Sequence, residues 1–256
     1  MAQLTITTDK ASISAAAAER ITAIIGSAVA ARGVAALALT GGETPDLLYQ
    51  FIADPNQPWR DHIAWPHVHL FWSDERAVPP DHGDSNFGLA NRLLIQHVPV
   101  PATQIHRMRG ELPASDAGRL YDALLRVRRD QIVGPLFDVM LLGIGANAHI
   151  ASIFPDSPLL ARGPEGSAPQ PVLAAGVYVP EISQWRITMT PAAILDSAAI
   201  VMIASGASKA EAIAAALEGP DDVRRYPAQL LRAADDRVEW IIDSAASARL
   251  RGAPPA

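Results

Sequence analysis

Short and almost wholly apolar runs alternate with helical patterns along this sequence, and this alternation constrains the fold more than any other feature. Four runs stand out: Val34–Thr40, Val68–Trp72, Phe137–Leu142 and Ala199–Ile203. Such runs are typical of strands that are buried on both faces of a parallel sheet. With helical patterns between them, they predict an α/β fold: a mostly parallel, doubly wound, Rossmann-like sheet with helices on both faces.

Further patterns extend this α/β prediction. Additional strands are expected at Gln3–Thr7, Arg186–Met189 and Val238–Ile242. Helices are expected at Asp9–Arg32, Thr44 to about Ala53, about Asn86–His97, Ala114–Ile132 and Lys209–Leu217. The loose stretch Ser157–Pro171 is interpreted as an exposed loop, because core patterning resumes after it. We therefore predict a single domain over residues 1–256, with a frayed tail at about residues 252–256.

Composition narrows the classes of function. The chain has no cysteine, which removes thiolate nucleophiles, thiolate metal ligands and disulfides. Its net charge of −6 argues against nucleic-acid binding, which needs a basic face. No apolar stretch is both long and free of charge, so we expect no membrane partner and a cytoplasmic location.

Glycines and polar residues follow directly after the buried runs. Since ligands of parallel sheets bind beyond the carboxyl ends of the strands, these residues form the candidate site. Gly41 and Gly42 let the backbone turn, Thr44 is a good N-cap, and Pro45 suits the first helical position. The helix start would present free amides to an anion, although an ordinary strand-to-helix turn has the same pattern.

Two cations strengthen this candidate anion site. Arg76 ends the triplet Asp74–Arg76 after the second run, and a guanidinium binds phosphate through two parallel hydrogen bonds. A solvated loop is the alternative interpretation of the triplet. Lys209 lies at the start of a helix, where its charge opposes the helix dipole unless an anion binds nearby.

His149 is the candidate for proton transfer. It follows the run Phe137–Leu142 where ligands bind, and a structural histidine in apolar company is the alternative. The preceding Gly143-Ile144-Gly145 lacks the third glycine of a dinucleotide fingerprint, so no such cofactor is expected. His67 and His69 have a spacing that a metal can use, but without a third ligand we predict no metal site.

Together these segments resemble the 6-phosphogluconolactonase family, within the wider glucosamine-6-phosphate isomerase/6-phosphogluconolactonase superfamily. The resemblance covers nearly the whole chain, from about residue 10 to residue 245. The matching segments are Leu39–Pro45, Val68–Arg76, Asp84–Asn86, Leu142–Gly145, His149, Ala151–Pro155, Arg186–Thr190, Gly206–Ala210 and Pro227–Ala228.

This resemblance implies hydrolysis of 6-phosphoglucono-δ-lactone to 6-phosphogluconate in the pentose phosphate pathway, without a cofactor. The substrate is the one partner implied, a small sugar-phosphate lactone. The family's catalytic base would fall on His149, and its phosphate contacts on Gly41, Gly42, Thr44, Arg76 and Lys209.

The sequence departs from the family pattern beside His149. The family usually reads Gly-x-Gly-x-Asp-Gly-His-Thr, and here Asn147, Ala148 and Ile150 replace the aspartate, the following glycine and the threonine. Asn147 can still accept a hydrogen bond from the imidazole, so it stays a candidate catalytic residue, but it could hold the wrong tautomer. In serine proteases the equivalent amide costs about 10⁴ in turnover. Ala148 disfavours a positive φ, so the loop is expected to be strained or to differ locally.

Several expectations follow from this departure. If Asn147 is a weakened partner, Asn147→Asp is predicted to raise turnover about 10-fold. Alternatively, the carboxylate of Asp74 or Glu75 is the partner of His149.

A separate expectation concerns the oxyanion. Its donor is expected among the backbone N–H groups around Gly42 or Gly145.

Two other functions stay open at this point. A superfamily isomerase or deaminase opens its sugar ring with a histidine and a glutamate five residues later, where this sequence has Phe154. A non-catalytic sugar-phosphate binder or sensor would account for the changes at Asn147, Ala148 and Ile150.

Overall fold

A computed structural model describes residues 2–161 and 171–251. Its strands are β1 Gln3–Thr7, β2 Ala35–Leu39, β3 Val68–Trp72, β4 Asp74–Arg76, β5 Phe137–Leu142, β6 Ala174–Val179, β7 Gln184–Met189, β8 Ser197–Ala204 and β9 Val238–Asp243. Its α-helices are α1 Lys10–Arg32, α2 Glu43–Ala53, α3 Trp59–His62, α4 Asn86–Leu93, α5 Ala114–Gln131, α6 Pro191–Leu195, α7 Ala210–Glu218 and α8 Ser244–Ser247. The expected tail at residues 252–256 and the centre of the expected loop, residues 162–170, lie outside the described residues.

Six strands form a parallel sheet in the order β1-β9-β8-β5-β2-β3. Four neighbours in this sheet, β8, β5, β2 and β3, are the four apolar runs of the sequence. Leu142 lies opposite Met202, and Leu39 lies opposite Trp72. The carboxyl ends of these four strands therefore meet at one edge of the sheet, and the predicted parallel α/β fold is confirmed.

The two faces of the parallel sheet are covered by separate apolar layers. In β2, Leu37 and Leu39 belong to the layer that contains α1, α2 and α4, whereas Ala36 and Ala38 belong to the layer that contains α5 and α7. This alternation follows from the two-residue period of a strand. Both faces are buried, which explains why these strands are apolar throughout.

The first helix begins and ends where its flanking residues predict. Asp9 caps α1 by accepting from the Ser12 N–H at 2.8 Å, and Gly33 ends it with a φ of 74°. By length and composition, α1 is the one helix among the described residues that could cross a membrane. Its Ile13 and Ile21 are fully buried against the sheet, as in a core helix.

Three strands form a second, antiparallel sheet in the order β4-β7-β6, which the sequence did not predict. Ser73 joins the two sheets: its N–H donates to Leu39 O, and its carbonyl accepts from the Met189 N–H, both at 2.8 Å. The Asp74–Arg76 triplet is therefore a short strand and not a solvated loop. Strand β4 consists of three charged residues, and β6 begins with small residues. Neither segment has the apolar pattern from which a strand can be predicted.

Candidate active site

A cavity of about 460 Å³ opens at the edge where β2, β3, β5 and β8 end. It is lined by every residue that was predicted to bind phosphate and by the predicted base: Gly41, Gly42, Thr44, Arg76, His149 and Lys209. Asn147 lies behind His149 and contacts its ring. The fold thus brings together all the site residues expected from the sequence.

The turn after β2 forms one wall of this cavity. Gly42, with a φ of 112°, is the N-cap of α2. Thr44 is the second helical residue, so its predicted role as N-cap is wrong, and Pro45 is the third rather than the first. The Tyr49 hydroxyl holds the turn by donating to Thr40 O at 2.5 Å and accepting from its N–H at 3.1 Å. The first amides of α2 have no acceptor within the helix, which leaves them to a ligand.

Three cations line the cavity, one more than the sequence analysis assigned. Arg76 donates to Asp84 O at 2.6 Å, and Arg186 reaches the same cavity from β7. Lys209 lies in a 3₁₀ turn, residues 207–209, just before α7 rather than inside it. Within the described part of the chain, no carboxylate lies within ion-pairing distance of these three groups. Burial and the nearby Arg76 charge lower the pKa of Arg186, so positive charge is concentrated here despite the acidic balance of the chain.

The turn that carries Lys209 is held by a buried aspartate. Asp243, at the end of β9, accepts from the Ser205 hydroxyl at 2.6 Å and from the Gly206 N–H at 3.1 Å. The same carboxylate caps α8 through the Ala246 N–H at 2.7 Å. These bonds fix the backbone next to Lys209 while leaving its ammonium group for a ligand.

The imidazole of His149 is held on three sides. Its ring stacks on Phe154 with centroids 4.0 Å apart, and its Nδ1 lies 2.6 Å from Asn147 Oδ1. On the third side is Gly145, where a Cβ would lie only 2.1 Å from His149 Nδ1, so this position must be glycine.

The environment of His149 favours the neutral imidazole. Burial lowers its pKa to about 4, as do the charges of Lys209 and Arg186, while Asp74 and Glu181 act in the opposite direction. At neutral pH the ring is therefore unprotonated and can accept a proton.

The loop around His149 stores backbone strain. Ala148 has a φ of 63° and Ala151 a φ of 47°, both in the left-handed region that glycine prefers. Of the two outcomes expected for Ala148, the strained one is present. Its N–H donates to Gly145 O at 3.0 Å, and its carbonyl accepts from the Ala228 N–H at 2.9 Å. Strain of this kind clusters at functional sites, where surrounding contacts hold it in place.

The alternative carboxylates, Asp74 and Glu75, do not hydrogen-bond His149. Burial raises the pKa of Glu75, whose oxygens accept from the Arg76, Asn86 and Phe87 N–H groups at 2.7–2.8 Å. This side chain organises the loop before α4. Asp74 lines the cavity but is held by the Ser152 hydroxyl at 2.6 Å.

A carboxylate that the sequence analysis missed stands behind Asn147. Both oxygens of Glu181 accept from Asn147 Nδ2 at 2.9 Å. Glu181 is 34 residues away in the chain and lies in the turn between β6 and β7. Because this hairpin belongs to the second sheet, no sequence pattern pointed to it.

His69 makes a contact other than metal binding. Its Nδ1 lies 2.9 Å from His106 Nε2, and the two rings stack. Over residues 2–161 and 171–251, no group of three or more histidine or carboxylate side chains is arranged to hold a metal ion.

Comparison with known proteins places the chain in a family. Residues 8–240 match the family described as glucosamine-6-phosphate isomerases/6-phosphogluconolactonase. The chain belongs to this family. Among curated relatives, the 6-phosphogluconolactonase of Mycobacterium tuberculosis is 36% identical over 244 residues, which cover 92% of this chain and 93% of the relative.

Solved structures of the family show the same fold. The 6-phosphogluconolactonase of Trypanosoma brucei superposes with a TM-score of 0.81 at 24% identity, over 98% of this chain and 99% of that one. A monomeric glucosamine-6-phosphate deaminase superposes with a TM-score of 0.78 at 23% identity, over 96% and 99%. Since lactonase and deaminase share this fold, the choice between them depends on the site.

Proposed function

We propose that this protein hydrolyses 6-phosphoglucono-δ-lactone to 6-phosphogluconate, the lactonase step of the pentose phosphate pathway. The observation that carries the proposal is the convergence of a neutral imidazole, His149, and three cations on one cavity, where no carboxylate of residues 2–161 or 171–251 pairs with those cations. Curated relatives at 36% and 34% identity are 6-phosphogluconolactonases, which supports the same reaction.

The phosphate of the substrate binds at the cationic wall in this proposal. Arg76, Arg186 and Lys209 supply charge, and the backbone at Gly41 and Gly42 with Thr44 at the start of α2 supplies hydrogen-bond donors. Phosphate binding at this wall orients the lactone ring and brings its carbonyl carbon near His149.

His149 then acts as the general base. It takes a proton from a water molecule as the water oxygen attacks the lactone carbonyl, and it returns the proton to the ring oxygen as the carbon–oxygen bond breaks. Of the two candidate oxyanion donors, the Gly145 N–H already donates to His149 O at 2.9 Å. This bond removes the Gly145 N–H from the candidate oxyanion donors.

The geometry around His149 favours this reaction over the alternatives. Phe154 stacks on the imidazole at the position where an isomerase or deaminase needs a glutamate, and phenylalanine cannot ionise. A non-catalytic binder needs the cations, but it has no use for a neutral imidazole that Phe154 and Asn147 hold at the cavity.

The proposal describes a single-domain enzyme of the cytoplasm that acts on a small molecule. A small-molecule metabolic substrate and an acidic chain fit that location. No cofactor, metal, nucleic acid or membrane takes part in the proposed reaction.

The test is an assay of lactone hydrolysis by the purified protein, in which the acid released at constant pH is measured. The protein should hydrolyse the phosphorylated lactone above its spontaneous rate and act far more weakly on glucono-δ-lactone. His149→Ala should lower kcat by about 10²–10⁴ with the fold retained. Binding of 6-phosphogluconate without hydrolysis would instead favour the non-catalytic binder.

A further inference from the structure

The structure assigns Glu181 a positioning role: through the side-chain amide of Asn147 it holds His149 in the tautomer that leaves Nε2 unprotonated. The kinetic part of this inference rests on the proposed function, in which His149 is the general base. The residues involved are Glu181 between β6 and β7, and Asn147 and His149 after β5.

The contacts form a directed chain. Glu181 accepts from Asn147 Nδ2 with both carboxylate oxygens at 2.9 Å. On the other side of the amide, Asn147 Oδ1 lies 2.6 Å from His149 Nδ1 and accepts the His149 backbone N–H at 3.2 Å. The chain thus connects the second sheet to the base of the proposed reaction.

The chemistry of each group fixes the direction of the next bond. A carboxylate can only accept, so Glu181 draws the NH₂ of Asn147 toward itself and turns Oδ1 toward His149. An amide oxygen also only accepts, so the imidazole proton must be on Nδ1. Nε2 then keeps its lone pair and can take a proton from water.

Removing the Glu181 carboxylate would release this constraint. The Asn147 amide could then rotate and present its NH₂ to Nδ1, which would put the imidazole proton on Nε2 and block the base. This is the reason that an amide in place of a carboxylate is so costly in serine proteases. Glu181 therefore replaces the carboxylate that Asn147 lacks. It acts on the imidazole indirectly, through its hydrogen bonds to the Asn147 amide.

Four charged groups act on His149, and they set the expected pH effect. Asp74 and Glu181 favour the imidazolium, while Lys209 and Arg186 disfavour it. Removal of the Glu181 charge should therefore move the acid limb of kcat/KM to lower pH.

The direct test is side-chain nitrogen NMR of His149, which needs no turnover. Wild-type protein should show a proton on Nδ1, and Glu181→Gln should move part or all of the population to Nε2. Glu19→Gln, the same change at an exposed position on α1, is the matched control and should keep the wild-type tautomer. A wild-type proton on Nε2, or an unchanged tautomer in Glu181→Gln, overturns the inference.

The kinetic test separates positioning from mere structure. Glu181→Gln should lower kcat about 10–100-fold, part of what a general base contributes, with KM changed by less than about 3-fold. Adding Asn147→Asp to Glu181→Gln should restore kcat at least about 10-fold, because the aspartate accepts from Nδ1 with either oxygen. A double variant as slow as Glu181→Gln contradicts the inference. If wild type shows the Nδ1 tautomer and Glu181→Gln shifts it, but wild type hydrolyses no lactone, the proposed function fails and the positioning role of Glu181 stands.

Discussion

At the residue scale, the phosphate-binding proposal depends on cations that reach the cavity from three different elements. Arg76 comes from β4, Arg186 from β7, and Lys209 from the turn after β8. The sequence motifs identified the first and last of these. Arg186 was recognised only as part of a family motif, because nothing in the sequence shows that the second sheet directs β7 toward the cavity.

Truncation of each cation should weaken substrate binding. Arg76→Ala, Arg186→Ala and Lys209→Ala should each cost about 1.5–3 kcal/mol, the range for hydrogen bonds to charged groups. The effect should appear in KM for the phosphorylated lactone and be much smaller for glucono-δ-lactone, which lacks the phosphate. Arg20→Ala is the control, because Arg20 forms an exposed ion pair with Glu239 and does not line the cavity. Normal KM values in all three variants would place the phosphate elsewhere.

The structure reverses one prediction made from the sequence at this scale. Asn147→Asp was expected to raise turnover, but it would put a carboxylate oxygen where Nδ2 now donates to Glu181 at 2.9 Å. Two carboxylates at this separation repel, so one is displaced or stays protonated. We now expect no gain in kcat at neutral pH and a loss of up to about 10-fold, or about 1.4 kcal/mol. Steady-state kinetics of the single variant decides, and a clear gain would show that Glu181 does not constrain Asn147.

At the element scale, agreement between sequence and structure depends on how each element is stabilised. The buried strands β2, β3, β5 and β8 and the capped helix α1 could be predicted, because their own residues carry the apolar pattern or the cap. The second sheet could not be predicted. Its strand β4 has three charged residues that are stabilised by tertiary partners, such as the donors around Glu75, rather than by local pattern.

The same distinction applies to the loop that carries His149. Sequence identified its residues, but the left-handed backbone at Ala148 is imposed by neighbours, including the bond to Ala228 N–H. Asn147 was recognised as unusual, whereas its partner Glu181 could be found only from the packing of the hairpin between β6 and β7 against this loop.

Substitutions at Ala148 should report the strain in this loop. Ala148→Gly relieves the left-handed strain but loses a buried methyl group and adds unfolded-state entropy, so the free energy of unfolding should change by less than about 1 kcal/mol. Ala148→Val should lower the free energy of unfolding by more than about 2 kcal/mol, because it places a β-branched side chain at a fully buried position with a φ of 63°. Urea unfolding of both variants checks this. Equal stabilities would mean that the loop relaxes freely.

At the scale of the whole molecule, an acidic chain can have a cationic cavity because its charged side chains are distributed unevenly. The net charge is −6, yet the cavity collects three cations and a histidine whose pKa is lowered to about 4 mainly by burial. The net charge of a chain therefore carries no information about the local field that a small anion meets in such a cavity.

Buried histidines also make the stability of the whole fold depend on pH. Burial lowers the pKa of His106 to about 4, with smaller contributions from His69 and Arg128, and His149 has a similar value. The pKa of a histidine in the unfolded chain is about 6.5. Between these two values the unfolded state binds more protons, so the free energy of unfolding falls as pH is lowered from about 6.5 to about 4.

Each of these two histidines can contribute up to about 1.4 kcal/mol per pH unit within that window. Glu75 acts in the opposite direction, since burial raises its pKa and the folded state then holds the extra proton. The measurement is therefore the slope of the free energy of unfolding against pH, from urea unfolding between pH 7.5 and pH 4.5. It compares wild type, His106→Gln and His62→Gln, the last being a control at an exposed site. His106→Gln should have the flatter dependence even if it is less stable throughout, because it lacks one of the groups that must gain a proton on unfolding. If its curve runs parallel to those of wild type and His62→Gln, His106 titrates alike in the folded and unfolded chain, and its burial does not keep it neutral.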